Sequence, residues 1–478
     1  MSFNSTGLIG KQPSHAEFLA NSLIVNGIAS DLSDVGCGKT YSASAVLRHL
    51  KRKFIVVCPI LVKGMWAEVL ASFEQKAEVI IGYEKFCRGN TPYLKYRKPT
   101  KKEIKDYGHK NDVPKYILPV LKLPKDWIIV LDESHKCKGQ TSLNAGFLMA
   151  LRSQGYTILT LSATQATSPL DMKAYGYATD MHNGQPKDYR QFCYDLGAKD
   201  LIKDGRSSFA ALTFDIEDPT ARAKMGKCHA HLFDIRKIAS RLTKADFKGV
   251  FPPHQVVAQA YDMGASSDRI QSIYDNMQEE LRRLEESCEN YSQHRFAAII
   301  KARRLVEMQK VPTLVDMVEE LYEQRKSVAV FVSFTDTINA LNSRVERMYP
   351  GKIGLVYGEA SVKDRLQDVA DFQSDKKPIM FLNLAAGGQS INLHDLIGDR
   401  PRHFVINPSY RSIDILQAMG RHHRANAKTD CYTRFVFADR TIEVPVCRRF
   451  QWRKDNIDML NDGDLVPSVF NFAAGLQV

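Results

Sequence analysis

The chain lacks the features that mark secreted, membrane-spanning or low-complexity proteins. No run of 18 apolar residues occurs in its 478 positions, which excludes an ordinary transmembrane helix. The opening MSFNSTGLIGKQPSH has no basic segment leading into an apolar one, so nothing in it reads as a secretory leader. Nine cysteines, at 37, 58, 87, 137, 193, 228, 288, 431 and 447, form an odd set with no two closer than 16 residues. That spacing excludes a disulfide framework and paired zinc knuckles, and fits a reducing compartment. The 13 histidines show no metal-ligand spacing, and no repeat of about 20 to 50 residues is visible. The expectation is an intracellular, cytoplasmic protein with neither zinc nor a membrane partner.

What is present is the make-up of a folded protein: 44% hydrophobic and 25% charged residues. At about 100 to 200 residues per domain, the length predicts two to four domains. Lys and Arg exceed Asp and Glu by 66 to 54, a net charge of +12 that makes a polyanion a reasonable partner without identifying it. One stretch concentrates the excess: Lys95, Arg97, Lys98, Lys101, Lys102, Lys105 and Lys110, among Tyr93, Tyr96 and Tyr107. It suits a grip on phosphates with rings for stacking, and equally a solvated insertion loop.

Short apolar runs bounded by turn residues, each followed by a helical pattern, recur in two blocks, as buried parallel strands do. The first block predicts strands at Phe54–Cys58, Val79–Ile81, Trp127–Leu131 and Thr157–Leu161. The second predicts Val328–Ser333, Ile353–Tyr357, Ile379–Leu382, His403–Ile406 and Thr433–Phe437. Between them long charged helical patterns take over. The expected fold is α/β: a first doubly wound parallel-sheet lobe over 1–183, a helical connector over 184–326, a second lobe over 327–450 and a tail over 451–478.

The stretch most informative about chemistry is Ser33-Asp34-Val35-Gly36-Cys37-Gly38-Lys39-Thr40, which opens a helical pattern. Glycines let backbone N–H groups wrap phosphate oxygens, Lys39 reaches the β- and γ-phosphates and Thr40 suits Mg²⁺. It departs from the general phosphate-loop pattern at Ser33, where the first glycine would stand. About 90 residues on, the apolar run Trp127–Leu131 ends in Asp132-Glu133-Ser134-His135. A carboxylate pair at a strand's C-terminal end lies on the ligand edge of an open α/β sheet. There Asp132 would hold Mg²⁺ through water and Glu133 would orient and deprotonate an attacking water. If Ser412 to Arg424 is helical, Gln417, Arg421 and Arg424 fall within about 60° of one another, so two guanidinium groups project together.

These residues, with others in order along about 10 to 450, resemble superfamily-two helicase-type ATPases, and within them the Swi/Snf-type DNA translocases. Val56-Val57-Cys58-Pro59 with Trp66 resembles motif Ia and Gly82–Phe86 resembles Ib. Ser162-Ala163-Thr164 resembles motif III, Val332-Ser333-Phe334 motif IV, Ala386–Leu393 motif V and Gln417–Arg424 motif VI. Arg236-Lys237-Ile238 and Ser240–Lys244 resemble the linker between family lobes.

The resemblance implies two RecA-like lobes sharing one site for ATP and Mg²⁺, with Lys39, Asp132 and Glu133 on the first lobe and Gln417, Arg421 and Arg424 on the second. It implies nucleotide contacts from Gly36, Cys37, Gly38, Lys39, Thr40 and Gly388, with either Gln12 or His15 reading adenine. Coupling falls to Ser162, Thr164 and His135. Pro59, Trp66, Tyr83, Ser333, Phe334 and Gly387 would touch DNA, mainly at phosphates and with little sequence preference. His422 and His423 are expected on the surface of the motif VI helix. The implied function is an ATP-dependent motor on duplex or branched DNA, similar to phage-encoded helicases that act on forks and migrate branches, which would work in a host cytoplasm. An RNA helicase and an ATP-switched nucleic-acid sensor are the alternatives.

Overall fold

A computed structural model describes residues 3–88, 91–97, 100–101, 117–139, 141–203, 206–215, 217–287, 291–384, 391–409, 411–439, 441 and 443–463. The chain divides into two compact units, one holding the chain up to Lys248 together with the segment from Trp452, the other Gly249–Gln451.

The first unit is built on six parallel strands. In chain order the strands of this unit are β1 (Ile28–Asp31), β2 (Phe54–Cys58), β3 (Val79–Gly82), β4 (Leu94–Arg97), β5 (Ile117–Leu121), β6 (Ile128–Asp132), β7 (Thr157–Leu161), β8 (Ala198–Lys203), β9 (Arg206–Phe214) and β10 (Ala239–Ser240). The sheet runs β10-β1-β7-β6-β2-β3, while β4-β5 and β8-β9 are antiparallel pairs. Strand alternation divides the apolar side chains between the two faces. Ile55 and Val57 join one core with Ile129 and Leu131; Phe54, Val56 and Cys58 join the other with Ile128 and Val130. Both faces are therefore covered, which is why these strands read as unbroken apolar runs.

The second unit repeats the plan with β11 (His254–Tyr261), β12 (Ser327–Val332), β13 (Ile353–Val356), β14 (Ile379–Asn383), β15 (Arg402–Ile406) and β16 (Cys431–Ala438). Its order is β11-β16-β15-β12-β14-β13, all parallel. Ala329 and Phe331 face one core, Val328, Val330 and Val332 the other. Two doubly wound parallel lobes are thus the architecture, as the periodicity predicts.

The stretch 184–326 is less uniformly helical than its charge pattern suggests. It holds β8 and β9, β10 at the edge of the first sheet and β11 at the edge of the second. Of the residues that resemble an inter-lobe linker, Ser240 ends β10, which pairs with β1 through Ser30 and Asp31. The long helices Ala265–Ser287 and Tyr291–Gln309 lie in the second unit. Among the described residues no helix is long and apolar enough to cross a membrane.

Candidate nucleotide site and nucleic-acid edge

Strand register sets the nucleotide site. Leu161 pairs with Asp31 on one side and Asp132 on the other, so β1, β7 and β6 end at one level. The phosphate loop, the Ser162-Ala163-Thr164 turn and the Asp132-Glu133 pair therefore leave the sheet side by side, at the edge where open α/β sheets bind ligands.

The phosphate loop is held from several directions. Gly36 and Gly38 take left-handed backbone with φ of 95° and 76°, a conformation that a side chain resists. A Cβ at Gly38 would also strike the Gln12 amide. Lys39 Nζ donates to the carbonyls of Ser33 (2.8 Å) and Asp34 (3.0 Å). Ser33, the departure from glycine, is buried, and its Oγ accepts the Leu242 N–H at 2.9 Å. The hydroxyl thus joins the loop to the chain beyond β10. Arg241 continues that join, donating to Leu32 O at 2.9 Å and pairing with Asp34 at 3.0 Å and Asp462 at 2.6 Å.

Gln12 and His15 separate in the structure. Gln12 accepts the Ile9 N–H through Oε1 and donates from Nε2 to Cys37 O at 3.1 Å, so it touches the phosphate loop. His15 is buried against Asp31 (3.1 Å) and Ser240 Oγ (2.7 Å), beneath the loop. Burial alone would raise the Asp31 carboxyl, but the His15 charge and hydrogen bond, aided by Lys39, hold it below its ordinary value.

The acidic pair is shaped by its neighbours. Glu133 has left-handed backbone, φ 54°, which turns the chain sharply at the end of β6. His135 Nδ1 lies 3.3 Å from Glu133 Oε2 and 3.2 Å from Ser162 Oγ, and Ser162 Oγ accepts the Thr164 N–H at 3.2 Å. Glu133, His135, Ser162 and Thr164 thus form one connected group. Burial first, and then the Glu133 charge, push the Asp132 carboxyl up to about 7, against the opposing effects of Trp66 and Lys39. A buried carboxylate beside a second one, level with a loop carrying Lys39 and Thr40, fits a divalent cation with a polyphosphate. Asp132 and Thr40 would hold the ion, and its role when bound is to neutralise phosphate charge.

Two rings expected at a nucleic-acid surface lie inside. Trp66 is fully buried and its indole donates to Asp132 Oδ2 at 2.8 Å. Tyr83 is buried too, and its hydroxyl donates to Asp132 O at 2.9 Å. Trp66 thus holds the Asp132 carboxylate and Tyr83 its backbone carbonyl, roles hidden in a sequence where aromatics after strands look alike. Pro59 is buried as well.

In the second unit, the helix expected over Ser412 to Arg424 stops at Met419, where Gly420 caps it. Gln417 and Arg421 are buried, Arg424 is half-buried, and Arg421 O accepts the Leu393 N–H at 2.9 Å. The chain then turns inward, so His422 and His423 are core residues and not a helix surface. His422 stacks on Phe404 at 3.8 Å between centroids, and His423 Nε2 lies 2.9 Å from Pro252 O. Ser333 and Phe334 are half-buried at the end of β12. Gly387 and Gly388 lie outside the described residues, as do Lys98, Lys102, Lys105 and Lys110 of the basic stretch; Lys95 sits on β4.

Residues that the motifs do not announce complete the first site. Asn461 Nδ2 donates to Ala163 O at 3.0 Å and Asn456 Nδ2 to Thr167 O at 2.8 Å, so the segment from Trp452 holds the turn after β7. Nothing in their local pattern marks them; the signal lies 289 and 298 residues away.

Two parallel sheets, one bearing a glycine-rich loop with Lys39 and Thr40 level with an Asp-Glu pair, form an α/β fold suited to holding a polyphosphate at its strand edge. Residues 309–426 match the helicase conserved C-terminal domain family. A curated protein of Acanthamoeba polyphaga mimivirus, provisionally named an ATP-dependent RNA helicase, is 29% identical over 474 residues, covering 96% of this chain and 85% of that protein. Among solved structures, the Sulfolobus solfataricus SWI2/SNF2 ATPase core in complex with dsDNA has a TM-score of 0.37 at 16% identity, with 97% of this chain and 94% of that one covered. The S. cerevisiae Dbp5 bound to RNA and ADP BeF3 has a TM-score of 0.45 at 13% identity, with 95% and 94% covered. The domain match, with the fold and loop described above, supports a helicase-type ATPase that acts on nucleic acid.

Proposed function

We propose that this protein is an ATP-dependent translocase on DNA that unwinds or remodels forked and branched structures. The observation that carries the motor reading is the connected group Glu133–His135–Ser162–Thr164, which ties a candidate water-orienting carboxylate to the turn after the neighbouring strand. A change in what Glu133 contacts during hydrolysis is thereby transmitted along the sheet edge. Lys39 and the phosphate loop bind the nucleotide, Glu133 orients and deprotonates the attacking water, and Arg421 and Arg424 neutralise charge on the transferring phosphoryl group. The preference for DNA rests on the Swi/Snf-like pattern of Gln417–Arg424 and of Ile391-Asn392-Leu393 after the glycines. RNA is the second reading, favoured by the name of the mimivirus relative.

The test is the ATPase rate with single-stranded, duplex, forked and four-way DNA and with RNA. Duplex or branched DNA is expected to stimulate most, with Lys39→Ala and Glu133→Gln lowering the rate at least about a hundredfold. Stimulation by RNA alone selects the second reading, and stimulation by neither removes both. Triplex displacement separates a motor from an ATP-switched sensor: DNA-stimulated hydrolysis without strand displacement contradicts translocation.

A further inference from the structure

Among the described residues, an extended buried polar network outside the nucleotide site lies in the second unit, at the C-terminal ends of its strands. Glu307, on the helix Tyr291–Gln309, is 1% exposed. Its Oε2 accepts the Ser333 N–H at 2.8 Å and Asn407 Nδ2 at 2.7 Å, and its Oε1 accepts the Ser333 and Phe334 N–H groups, each at 3.0 Å. Asn407 Oδ1 in turn accepts from Lys310 Nζ at 2.6 Å. Lys310, fully buried, pairs with Glu443, whose other oxygen accepts the Ala438 N–H at 2.8 Å. Asn383 Nδ2 donates to Ser333 O at 2.8 Å.

The chemistry of the network is specific. Burial raises the Glu307 carboxyl, while the Ser333 and Phe334 N–H groups and the Asn407 amide that converge on it oppose that rise and favour its charged form. Placing charge there is costly unless every partner is in place, so a network of this kind holds a geometry more than it adds net stability. The geometry held is that of the turn Ser333-Phe334, which leaves β12 and opens the helix Thr335–Met348. Through Asn383, Asn407 and Ala438, the ends of β14, β15 and β16 are tied to the same edge.

We infer that Glu307 is a positioning residue for nucleic-acid binding: its carboxylate fixes the Ser333-Phe334 turn at the strand edge that contacts the nucleic acid. The inference rests on the proposed function, together with the nucleic-acid contact that the helicase resemblance implies for Ser333 and Phe334. Glu307→Gln replaces an acceptor with an amide that opposes N–H donors, and so releases the turn. Lys310→Met breaks the far end of the network and leaves the carboxylate on the turn, so it serves as the control for lost stability alone.

The experiment measures, for the full chain, the concentration of short duplex DNA and of single-stranded RNA giving half-maximal ATPase stimulation, together with the melting temperature. Glu307→Gln is expected to raise that concentration at least about fivefold, with less than a twofold fall in rate at saturation. Lys310→Met is expected to lower the melting temperature at least as much, yet move the half-maximal concentration less than twofold. Should Glu307→Gln fail to fold, Glu307→Asp, which keeps the charge but withdraws it by one methylene, is expected to give the same split. A half-maximal concentration unchanged in the Glu307 variants, or shifted equally by Lys310→Met, overturns the assignment alone. A wild-type protein stimulated by neither nucleic acid overturns the function and this inference together, and is read before any variant is made.

Discussion

The candidate metal-site carboxylate depends on a ring that the sequence alone suggests for another task. Burial first, and then the Glu133 charge, push the Asp132 carboxyl from an ordinary 3.8 up to about 7, while the Trp66 indole and Lys39 oppose them. With the folded value raised, the metal-free protein is relieved of this cost at low pH and loses stability as pH climbs from about 4 through about 7. A cation that needs the ionised form competes with the proton, so Mg²⁺ affinity should fall by up to about tenfold per pH unit below 7. Hydrogen bonds to charged groups contribute about 1.5 to 3 kcal/mol, and about 1.4 kcal/mol corresponds to one pKa unit. Trp66→Phe should therefore move the pH midpoint of the Mg²⁺ requirement upward by about one unit. Titrating Mg²⁺ against ATPase rate between pH 6 and 9 checks this, and an unmoved midpoint reduces Trp66 to filler of the core.

At the scale of elements, the short strand β10 governs the phosphate loop. It is two residues long, yet Leu242 beyond it binds Ser33 and Asp34, and Arg241 spans Asp34 and Asp462. Removing one partner of a buried pair costs about 3 to 5 kcal/mol, and the lower figure applies because the Asp34 side chain is a third exposed. Arg241→Ala should lower the melting temperature and raise KM for ATP severalfold, with kcat less affected because no reacting group is lost; Arg241→Lys should fall between. Equal losses in kcat and kcat/KM would place Arg241 in the chemistry instead. This element also shows where sequence reading stops. The buried runs β2, β6, β7 and β12 are legible because both faces of a parallel strand are apolar. By contrast β1 is Ile-Ala-Ser-Asp, half polar, and it is buried only because Ser30 meets Thr160 and Tyr175 while Asp31 meets His15. Those partners are distant in sequence, as are Glu307, Arg241 and Asn461 from the turns they hold. The motifs announce the groups aimed at ligands; the residues that aim them leave no local pattern.

At the scale of the whole molecule, the motif order suggests a linear division into lobes, whereas the first unit is discontinuous. It ends at Lys248 and resumes at Trp452, within the helix Glu443–Asp462, which supplies Val446, Cys447 and Phe450 to the second unit. The returning segment is integral to the first core: Leu460 is fully buried and Met459 nearly so, in the cluster that holds Met225, Cys228 and Leu232. Burying a Leu or Met side chain contributes about 1.5 to 3 kcal/mol, so the two together contribute about 3 to 6. Their loss would add to the unpairing of Arg241 from Asp462 and to the freed carbonyls of Ala163 and Thr167. Against a domain stability of about 5 to 15 kcal/mol, these deficits decide whether the unit folds. A fragment of residues 1–248 should therefore melt early and broadly and bind Mg²⁺–ATP weakly. The same fragment joined through a flexible linker to residues 452–463 should recover a cooperative transition and a nucleotide-dependent rise in melting temperature, which Lys39→Ala abolishes. Calorimetry of the two fragments decides it: a cooperative, nucleotide-responsive transition in 1–248 alone would mean that the returning segment is an ornament to the first unit and not part of its fold.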